Sequence, residues 1–580
     1  MYKGRLFMAL LVALGLLGAL GFSAPASGVA KTGSAASTGS AASTGSAAST
    51  GSAASTGSAA STGGTLTISN AEFLWTCGFS PFSPDSNFLS VGSVYETLMF
   101  VDSLANAKVT PWLATSYTWS GGNTVLTFNI RTGVKWADGT PFTAADVVYT
   151  FNLLKKYPAL DLNEVWSVLS GVTENSAHQV VMKFKSPATP YFYYIVDQVG
   201  IVPQHIWSKV SDPVLYKDTN PVGTGPFKVS GCTAQNVSYV RNNHYWQPGL
   251  PKLQKIEYPA FTSNPPANTL LSTGEAQWGG QFIPNLKDEY LSKSSSNHYW
   301  FPPVVNVSIF INQTVPLLNN VAVRKAIAFA INRSRVAEIG EYGYEPAANQ
   351  AGIVTPTFAS WLDTPQLKSA GYKYDPQEAI SILEKAGFKR GSGGVFVSPQ
   401  GKPLSFSIIC QAAYTDNVAD LQVISQELAA VGIKMNVESL AGTDYIASLY
   451  DGTFQMAFGY EAGGPSPYYE FRQWLDSAAS APIGKPATTN WERYSNKATD
   501  ALINSYAAST NSSVQHAILN KLQEVLLQDV PIIPVTELVD WDEYSTAEFG
   551  GWPSASDPYC QPFVYVFPDW EVVLLHLYKK

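Results

Sequence analysis

Residues 125–130 alternate between apolar and polar side chains, which predicts a half-buried strand because successive strand side chains point to opposite faces. Turn-forming residues follow, among them Gly133 and Gly139. Thr143 then offers a hydroxyl that can cap a helix, and Asp146 places an acid three residues later, ahead of an apolar run. The pattern predicts a strand, a turn and a capped helix.

The same periodicities recur farther along the chain. Residues 65–68 and 307–312 have the composition of strands. Apolar residues recur at helical spacing over 321–333 and over 420–431. Another helix is predicted to begin at Pro376 and to end at Gly387, because proline suits the first helical position and glycine the position after the last.

Composition extends this picture to a large protein. The chain has 580 residues, of which 45% are apolar and 13% aromatic, enough for more than one domain with its own core. The formal net charge is −8. A nucleic-acid partner would require a basic face, so the charge argues against one.

The N-terminal segment has the layout of a secretory signal over residues 1–30. Basic residues precede an apolar run over 6–22, and small residues follow, with cleavage expected after Ala26 or Ala30. An uncleaved membrane anchor is the alternative, although the run is slightly short of the roughly 20 residues that span a bilayer. No cysteine follows the run before Cys77, so the chain is not expected to be a lipobox lipoprotein.

Residues 31–63 form a linker built on a six-residue repeat of Gly, Ser, Ala and Thr. It contains no large apolar residue, so burial cannot offset the entropy of ordering it. A tether to the cell surface, a simple spacer and a glycosylated stalk are all compatible with this composition.

Candidate catalytic and metal-binding motifs are missing from the sequence. The four cysteines, Cys77, Cys232, Cys410 and Cys560, form no C-x-x-C pair and allow three complete disulfide pairings that the sequence does not rank. The histidines are scattered without a metal-ligand spacing, and no G-x-S-x-G motif occurs. We therefore expect no catalytic residues, no metal and no cofactor, and a protein that is not an enzyme.

Several longer motifs together resemble those of the family 5 extracellular solute-binding proteins, the peptide-binding subunits of ABC importers. The motifs are FNIRTGVKWADGTPFTAADVVYTF at 128–151, PWLATSY at 111–117, VGTGPF at 222–227, VAVRKAIAFAINR at 321–333 and PIIP at 531–534. The resemblance extends from Thr65 to Lys580, nearly all of the chain after the linker.

The resemblance implies an α/β, two-lobed periplasmic-binding-protein fold (type II, cluster C-like) with an additional small domain. Lobe 1 is expected to be discontinuous, and lobe 2 continuous. The expected boundaries are 64–105, 214–304 and 533–580 for lobe 1, 106–213 for the small domain attached to it, and 305–532 for lobe 2. The chain would cross between the lobes near Pro303 and Ile533, and these crossings would act as the hinge.

Peptide-binding members carry an aspartate in a W-x-A-D-Y segment that pairs with the ligand's ammonium. The matching stretch here is residues 459–467, in which Gly463 occupies the position of that aspartate. A desolvated ammonium without a counter-charge is costly, and Glu461 is the nearest residue that could supply one.

The loop W-T-C-G-F-S-P-F at 75–82 instead resembles the loop of members that bind cellobiose-like oligosaccharides, with Gly78 and Ser80 replacing two asparagines. By the resemblance, four aromatic residues fall at pocket-lining positions, where they could stack on sugar faces. They are Trp75, Phe79, Trp278 and Tyr460. Each could equally be a core residue.

The sequence thus predicts an exported, periplasmic or cell-surface monomer that delivers a solute to an ABC permease and its ATPase subunits. The predicted ligand is an oligopeptide, with a cellobiose-like oligosaccharide as the alternative. A role as a sensor or chaperone-like binding protein is the alternative of another class. The predicted ligand-binding residues are Trp75, Phe79, Trp278, Tyr460, Glu461 and Gly463.

Overall fold

The computed structural model describes residues 63–69, 74–83, 86–261 and 264–580. The predicted signal segment and nearly all of the predicted linker lie outside these residues. Within the described ranges, none of the helices combines the length and the apolar character needed to cross a bilayer.

The strands of the described residues are β1 (Thr65–Ser69), β2 (Met99–Asp102), β3 (Lys108–Pro111), β4 (Ala114–Ser120), β5 (Val125–Ile130), β6 (Leu169–Ser176), β7 (Gln179–Phe184), β8 (Phe227–Thr233), β9 (Asn236–Arg241), β10 (Lys255–Pro259), β11 (Trp278–Gly279), β12 (Asn297–Tyr299), β13 (Pro303–Ile311), β14 (Lys389–Arg390), β15 (Phe396–Val397), β16 (Ser405–Gln411), β17 (Lys434–Leu440), β18 (Met456–Gly459), β19 (Ile532–Val539), β20 (Glu543–Ser545), β21 (Phe549–Gly550) and β22 (Tyr578–Lys579).

The α-helices of the same residues are α1 (Ala144–Lys156), α2 (Val165–Val168), α3 (Tyr191–Asp197), α4 (Gln204–Trp207), α5 (Asn264–Ser272), α6 (Leu286–Glu289), α7 (Val321–Ala330), α8 (Arg333–Ile339), α9 (Thr364–Ala370), α10 (Pro376–Lys385), α11 (Thr415–Ala430), α12 (Gly442–Asp451), α13 (Tyr468–Leu475), α14 (Lys497–Ala507), α15 (Ser512–Asp529) and α16 (Asp569–His576).

A mixed sheet of seven strands in the order β12-β20-β11-β1-β10-β9-β8 forms the part of the molecule that we call lobe 1. Strand β1 lies at its centre and pairs in parallel with both β10 and β11. Because β1, β10 and β20 come from distant parts of the sequence, this sheet joins the beginning, middle and end of the chain.

A second sheet, with the order β17-β16-β18-β13-β19, forms the part that we call lobe 2. It includes β19, most of which lies beyond the predicted lobe 2 boundary at residue 532. Strands β13 and β19 pair antiparallel, from Pro303 opposite Val539 to Phe310 opposite Ile532. The two segments that connect the lobes therefore run side by side. Helices α7, α8 and α11 pack beside this sheet through buried aliphatic residues such as Ile327 and Leu421.

A third sheet, β4-β5-β7-β6, lies within residues 106–213, the predicted small domain, and packs against α1. The predicted strand coincides with β5, and α1 begins after Thr143 as predicted. The backbone N–H of Thr143 donates to Asp146 Oδ2 at 2.9 Å, which is one half of a capping box. Asp146 Oδ1 also accepts from the N–H of Gln204 at 3.0 Å, so one carboxylate serves the starts of two helices.

One disulfide joins Cys77 to Cys232, with the two Cα atoms 5.7 Å apart. It attaches the loop after β1 to β8 at the edge of the lobe 1 sheet. Cys410 and Cys560 are buried and unpaired with each other. The pairing that the sequence left open is therefore Cys77–Cys232.

Candidate functional site

The main cavity has a volume of about 360 Å³ and lies between the two lobes, along the crossing strands β13 and β19. Each lobe supplies one wall, and the segment before α16 supplies part of a third. Residues that represent these walls are Asn87, Phe88 and Phe282 from lobe 1, Val305 and Val539 from the crossing strands, Phe358 and Tyr460 from lobe 2, and Phe563 and Tyr565 from the C-terminal segment.

Aromatic rings and neutral polar groups make up most of the lining. The aromatic set includes Trp541 and Trp570 in addition to those named above, and the amide side chains include Gln198, Gln281 and Asn417. Such a lining, apolar surface with a few placed polar groups, is typical of small-molecule sites. It can bury flat apolar ligand faces and still satisfy hydroxyl groups.

Three carboxyl groups line the cavity, Asp416, Glu461 and Asp540, and none of its described lining residues is a lysine, arginine or histidine. Burial raises the pKa of all three carboxyl groups. For Glu461 the neighbouring acids Glu492 and Glu470 raise the pKa further. Burial therefore disfavours the ionised form of these carboxyl groups relative to the same groups in water.

Glu461 is buried, and neither of its carboxyl oxygens has a hydrogen-bond partner in the structure. Both carboxyl oxygens of Glu492 are likewise buried without a hydrogen-bond partner. A buried polar group without a partner costs about 1–3 kcal/mol. Glu461 is therefore a group that would gain from a donor on a ligand.

Gly463 lies against the crossing strand β13. A Cβ atom at this position would come within 2.6 Å of Val305 Cγ1, closer than real Cβ contacts. An aspartate at this position would therefore require the Val305 side chain, β13 or the 463 loop to move.

The sequence-predicted residues fall into two groups. Tyr460, Glu461 and Gly463 line the cavity together. Trp75, Phe79 and Trp278 are buried in the core and are not among the described lining residues. That their side chains contact the ligand stays a prediction.

Local packing accounts for the second group. The Trp75 indole N–H donates to the Tyr258 carbonyl at 2.8 Å, and the Trp278 indole N–H donates to Asp542 Oδ1 at 2.9 Å. Phe79 packs edge-on to Tyr239, with ring centroids 6.3 Å apart. Each aromatic residue therefore has a structural reason for its position.

Other lining residues were not identified from the sequence. Trp541 follows β19, and Phe563 and Tyr565 lie in an irregular segment before α16. No periodic pattern marks these positions. The available signal was the density of aromatic residues in these irregular segments, because binding residues are often carried on loops.

Direct contacts join the lobes at both ends of the cavity. At one end the Tyr469 hydroxyl donates to the Pro190 carbonyl at 2.7 Å, and Thr189 N–H donates to the Ala507 carbonyl at 2.9 Å. At the other end the N–H of Leu286 donates to the Tyr344 hydroxyl oxygen at 2.8 Å. The structure therefore represents a closed arrangement of the lobes.

Residues 108–482 match the family described as "Bacterial extracellular solute-binding proteins, family 5 Middle". The chain belongs to this family. A cavity between two lobes that are joined by paired crossing strands fits a family 5 solute-binding protein. In this protein, the described residues contain no group of three or more His, Cys, Asp or Glu side chains that could hold a metal ion.

Similar proteins support the same assignment and the two-lobed fold. The glutathione-binding protein GsiB of Escherichia coli O6:K15:H31 (strain 536 / UPEC) is 28% identical over 464 residues, covering 76% of this chain and 83% of that protein. The periplasmic oligopeptide-binding protein of an oligopeptide ABC transporter from Thermotoga maritima is 27% identical with a TM-score of 0.84, covering 89% and 99% of the two chains. The mannohexaose-bound structure of the same Thermotoga maritima protein gives a TM-score of 0.78 and covers 89% of this chain and 98% of that chain.

Proposed function

We propose that this family 5 protein is the solute-binding subunit of an ABC importer and captures a neutral oligosaccharide between its lobes. The observation that carries the proposal is the lining of the cavity, which combines aromatic rings and amides with no described lysine, arginine or histidine. The protein would hand the sugar to a membrane permease driven by ATPase subunits, and would act as a monomer without chemical turnover.

A free peptide brings an ammonium and a carboxylate, and each needs a partner when it leaves water. No described lining residue offers a cation to the carboxylate. Burial raises the pKa of all three lining carboxyl groups, Asp416, Glu461 and Asp540, which disfavours the anion that a ligand ammonium would need. A neutral sugar avoids both costs.

An oligosaccharide matches the groups that are present. Amide side chains such as Asn87, Gln281 and Asn417 both donate and accept, as hydroxyl groups require. Rings such as Phe88 and Tyr565 present apolar surface to the flat faces of a sugar. The Thermotoga maritima relative has been crystallised with mannohexaose, which adds support.

An oligopeptide is the second candidate, and one observation favours it. The unpartnered carboxyl of Glu461 in the cavity wall would gain a partner from a ligand ammonium. The relatives named for glutathione and oligopeptide binding are consistent with this candidate.

The first prediction separates the two ligand classes. Isothermal titration should detect binding of cello- or manno-oligosaccharides and no comparable binding of unmodified oligopeptides. Glu461→Gln should change the free energy of sugar binding by no more than the contribution of one hydrogen bond, about 0.5–1.5 kcal/mol. Loss of peptide binding by about 3–5 kcal/mol in the same variant would instead identify a peptide ligand.

Two controls complete this experiment. Analysis of the mixtures after incubation should recover the sugars intact, as expected of a binding protein. Glu384→Gln, which alters an exposed acid outside the cavity, should leave both titrations unchanged.

A further inference from the structure

Six aromatic side chains form a continuous network at the end of the cavity where Tyr344 meets lobe 1. We call this network the aromatic band, and its members are Phe282, Tyr299, Phe301, Tyr342, Tyr344 and Trp541. Each ring lies within 4.8–6.2 Å, centroid to centroid, of at least one other member. Offset and edge-on pairs at such distances are favourable aromatic contacts.

The inner end of the aromatic band belongs to the cavity itself. Phe282 and Trp541 both line the cavity and meet edge-on, with ring centroids 5.5 Å apart. Trp541 also contacts Phe301 at 4.8 Å. A ligand in the cavity is therefore in contact with the beginning of the band.

The outer end of the band reaches solvent. Tyr342 is 55% exposed and Tyr299 is 47% exposed, values unusual for side chains of this size. Tyr342 contacts Phe282 at 5.9 Å, and Tyr299 contacts Phe301 at 4.8 Å. Each exposed ring is thus one contact away from a more buried member of the band.

The backbone conformation at Tyr342 is energetically unfavourable. Tyr342 has φ of 54° and Gly343 has φ of 75°, so two successive residues adopt left-handed conformations. Such a conformation is unfavourable for a tyrosine. Gly343 N–H donates to the Ala337 carbonyl and Tyr344 N–H to the Glu341 carbonyl, both at 2.9 Å, which fixes the turn that holds the Tyr342 ring outward.

Contact between the lobes explains only the inner part of this arrangement. The Tyr344 hydroxyl accepts from Leu286 N–H, and its ring packs against Phe301 and Trp541. These contacts join lobe 2 to lobe 1 in the closed state. They leave the exposed faces of Tyr342 and Tyr299 without a protein partner to bury them.

The volume of the cavity supplies the reason for a second set of contacts. At about 360 Å³ it lies near the lower end of the roughly 300–1,000 Å³ typical of small-molecule sites. An oligosaccharide of several units exceeds this space, so its outer units must leave the cavity. Apolar sugar faces that pass over exposed rings bury area and gain free energy.

We propose that the aromatic band is a distal binding subsite, in which Tyr342 and Tyr299 stack against the sugar units that extend beyond the cavity. This inference rests on the proposed function. The cavity would hold the first units, and the following units would leave it beside the contact of Tyr344 with Leu286 and stack on Tyr342 and Tyr299. The band therefore favours longer oligosaccharides over disaccharides.

The test compares ligand length and ring identity. Isothermal titration would use cello- and manno-oligosaccharides of two to six units with the wild type, Tyr342→Ala and Tyr299→Ala. Wild-type affinity should rise with length. Each alanine variant should lose about three- to tenfold in affinity for the hexasaccharide and keep its affinity for the disaccharide.

Two further variants define the cause of any loss. Tyr342→Phe keeps the ring and should bind the hexasaccharide like the wild type. Tyr374→Ala removes a comparably exposed tyrosine, 46% exposed, that is not a member of the band, and should have no effect.

The remaining outcomes are informative in different ways. Equal losses for short and long sugars in Tyr342→Ala would show that the ring acts through closure of the lobes, and would overturn the subsite. Unchanged hexasaccharide affinity in both alanine variants would overturn it as well. Failure of the wild type to bind any oligosaccharide would overturn the proposed function, and the subsite with it.

Discussion

The buried acid Glu492 makes the stability of this protein depend on pH. It is fully buried beside Glu461, and burial raises its pKa well above the usual range. The folded state therefore keeps a proton that the unfolded chain releases above about pH 4.5. The contribution of Glu492 to stability is retained below that pH and lost as the pH rises.

The second prediction follows from this linkage. Glu492→Gln keeps the shape of the side chain and removes its titration, so the variant should melt at a higher temperature than the wild type at pH 8. The difference should shrink toward pH 4.5. Calorimetry across this range measures it, with Glu384→Gln as a control in an exposed helical position. A difference independent of pH would contradict the titration argument.

Gly463 illustrates what a resemblance shows and what it omits. Alignment with the peptide-binding motif indicates that a carboxylate is missing at this position. The structure adds the reason that it is not easily restored, because Val305 of β13 occupies the space that a side chain would need. That contact joins residues far apart in sequence, so no local pattern reveals it.

At the scale of elements, helix α13 of lobe 2 contacts helix α3 and the residue before it. The Tyr469 hydroxyl donates to the Pro190 carbonyl, and its ring packs edge-on to Tyr193 and Tyr194. Opening of the lobes must break this contact. We therefore expect it to contribute to ligand affinity without contacting the ligand.

The third prediction tests this contribution. Tyr469→Phe removes one hydrogen bond and keeps the ring, so the closed state should lose about 0.5–1.5 kcal/mol. Ligand should dissociate correspondingly faster, by about two- to tenfold, in a stopped-flow measurement. Tyr468→Phe is the matched control, since Tyr468 stacks on Tyr506 within lobe 2. Equal effects of the two substitutions would argue against a role in closure.

Elements whose signals are local were predicted well from the sequence. Strand β5 and the start of α1 follow from alternation and a capping box, and α10 begins at Pro376, where Asp375 accepts from two backbone N–H groups. Helix α11 begins at Thr415, five residues before the apolar pattern indicates. The first turn of a helix can lie outside its apolar stripe, so the pattern misses it.

The cavity was predicted less completely, because its residues come from several separate segments. Tyr460, Glu461 and Gly463 were found through one family motif. Trp541 and Phe563 reach the cavity only through the pairing of β19 with β13 and the course of the C-terminal segment. Such positions depend on long-range packing, which aromatic composition alone does not specify.

Among the described residues, several carboxyl groups are buried and form no salt bridge. Burial raises the pKa of Glu470, Glu537 and Glu543 to about 8 and that of Glu96 to about 7. Buried Arg324, by contrast, donates to the backbone carbonyls of Asp529 and Val530. The buried cation in this case does not neutralise a buried acid.

The fourth prediction concerns the pH dependence of global stability. A raised folded-state pKa means that stability is present below the unfolded pKa, near 4.5, and declines as the pH rises toward 8. One group shifted as far as Glu470 contributes about 3 kcal/mol to this decline by pH 7. Urea unfolding should therefore show a higher midpoint at pH 5 than at pH 8. A midpoint that rises with pH would contradict this expectation.

The disulfide has a consequence for the order of biosynthesis. In a chain of this extracellular family that crosses a membrane N-terminus first, Cys77 emerges alone and Cys232 is the next cysteine to follow. The native partner would therefore be the first thiol that Cys77 meets, before Cys410 or Cys560 emerges. The order of emergence would then favour the correct pair over pairs of Cys77 with Cys410 or Cys560.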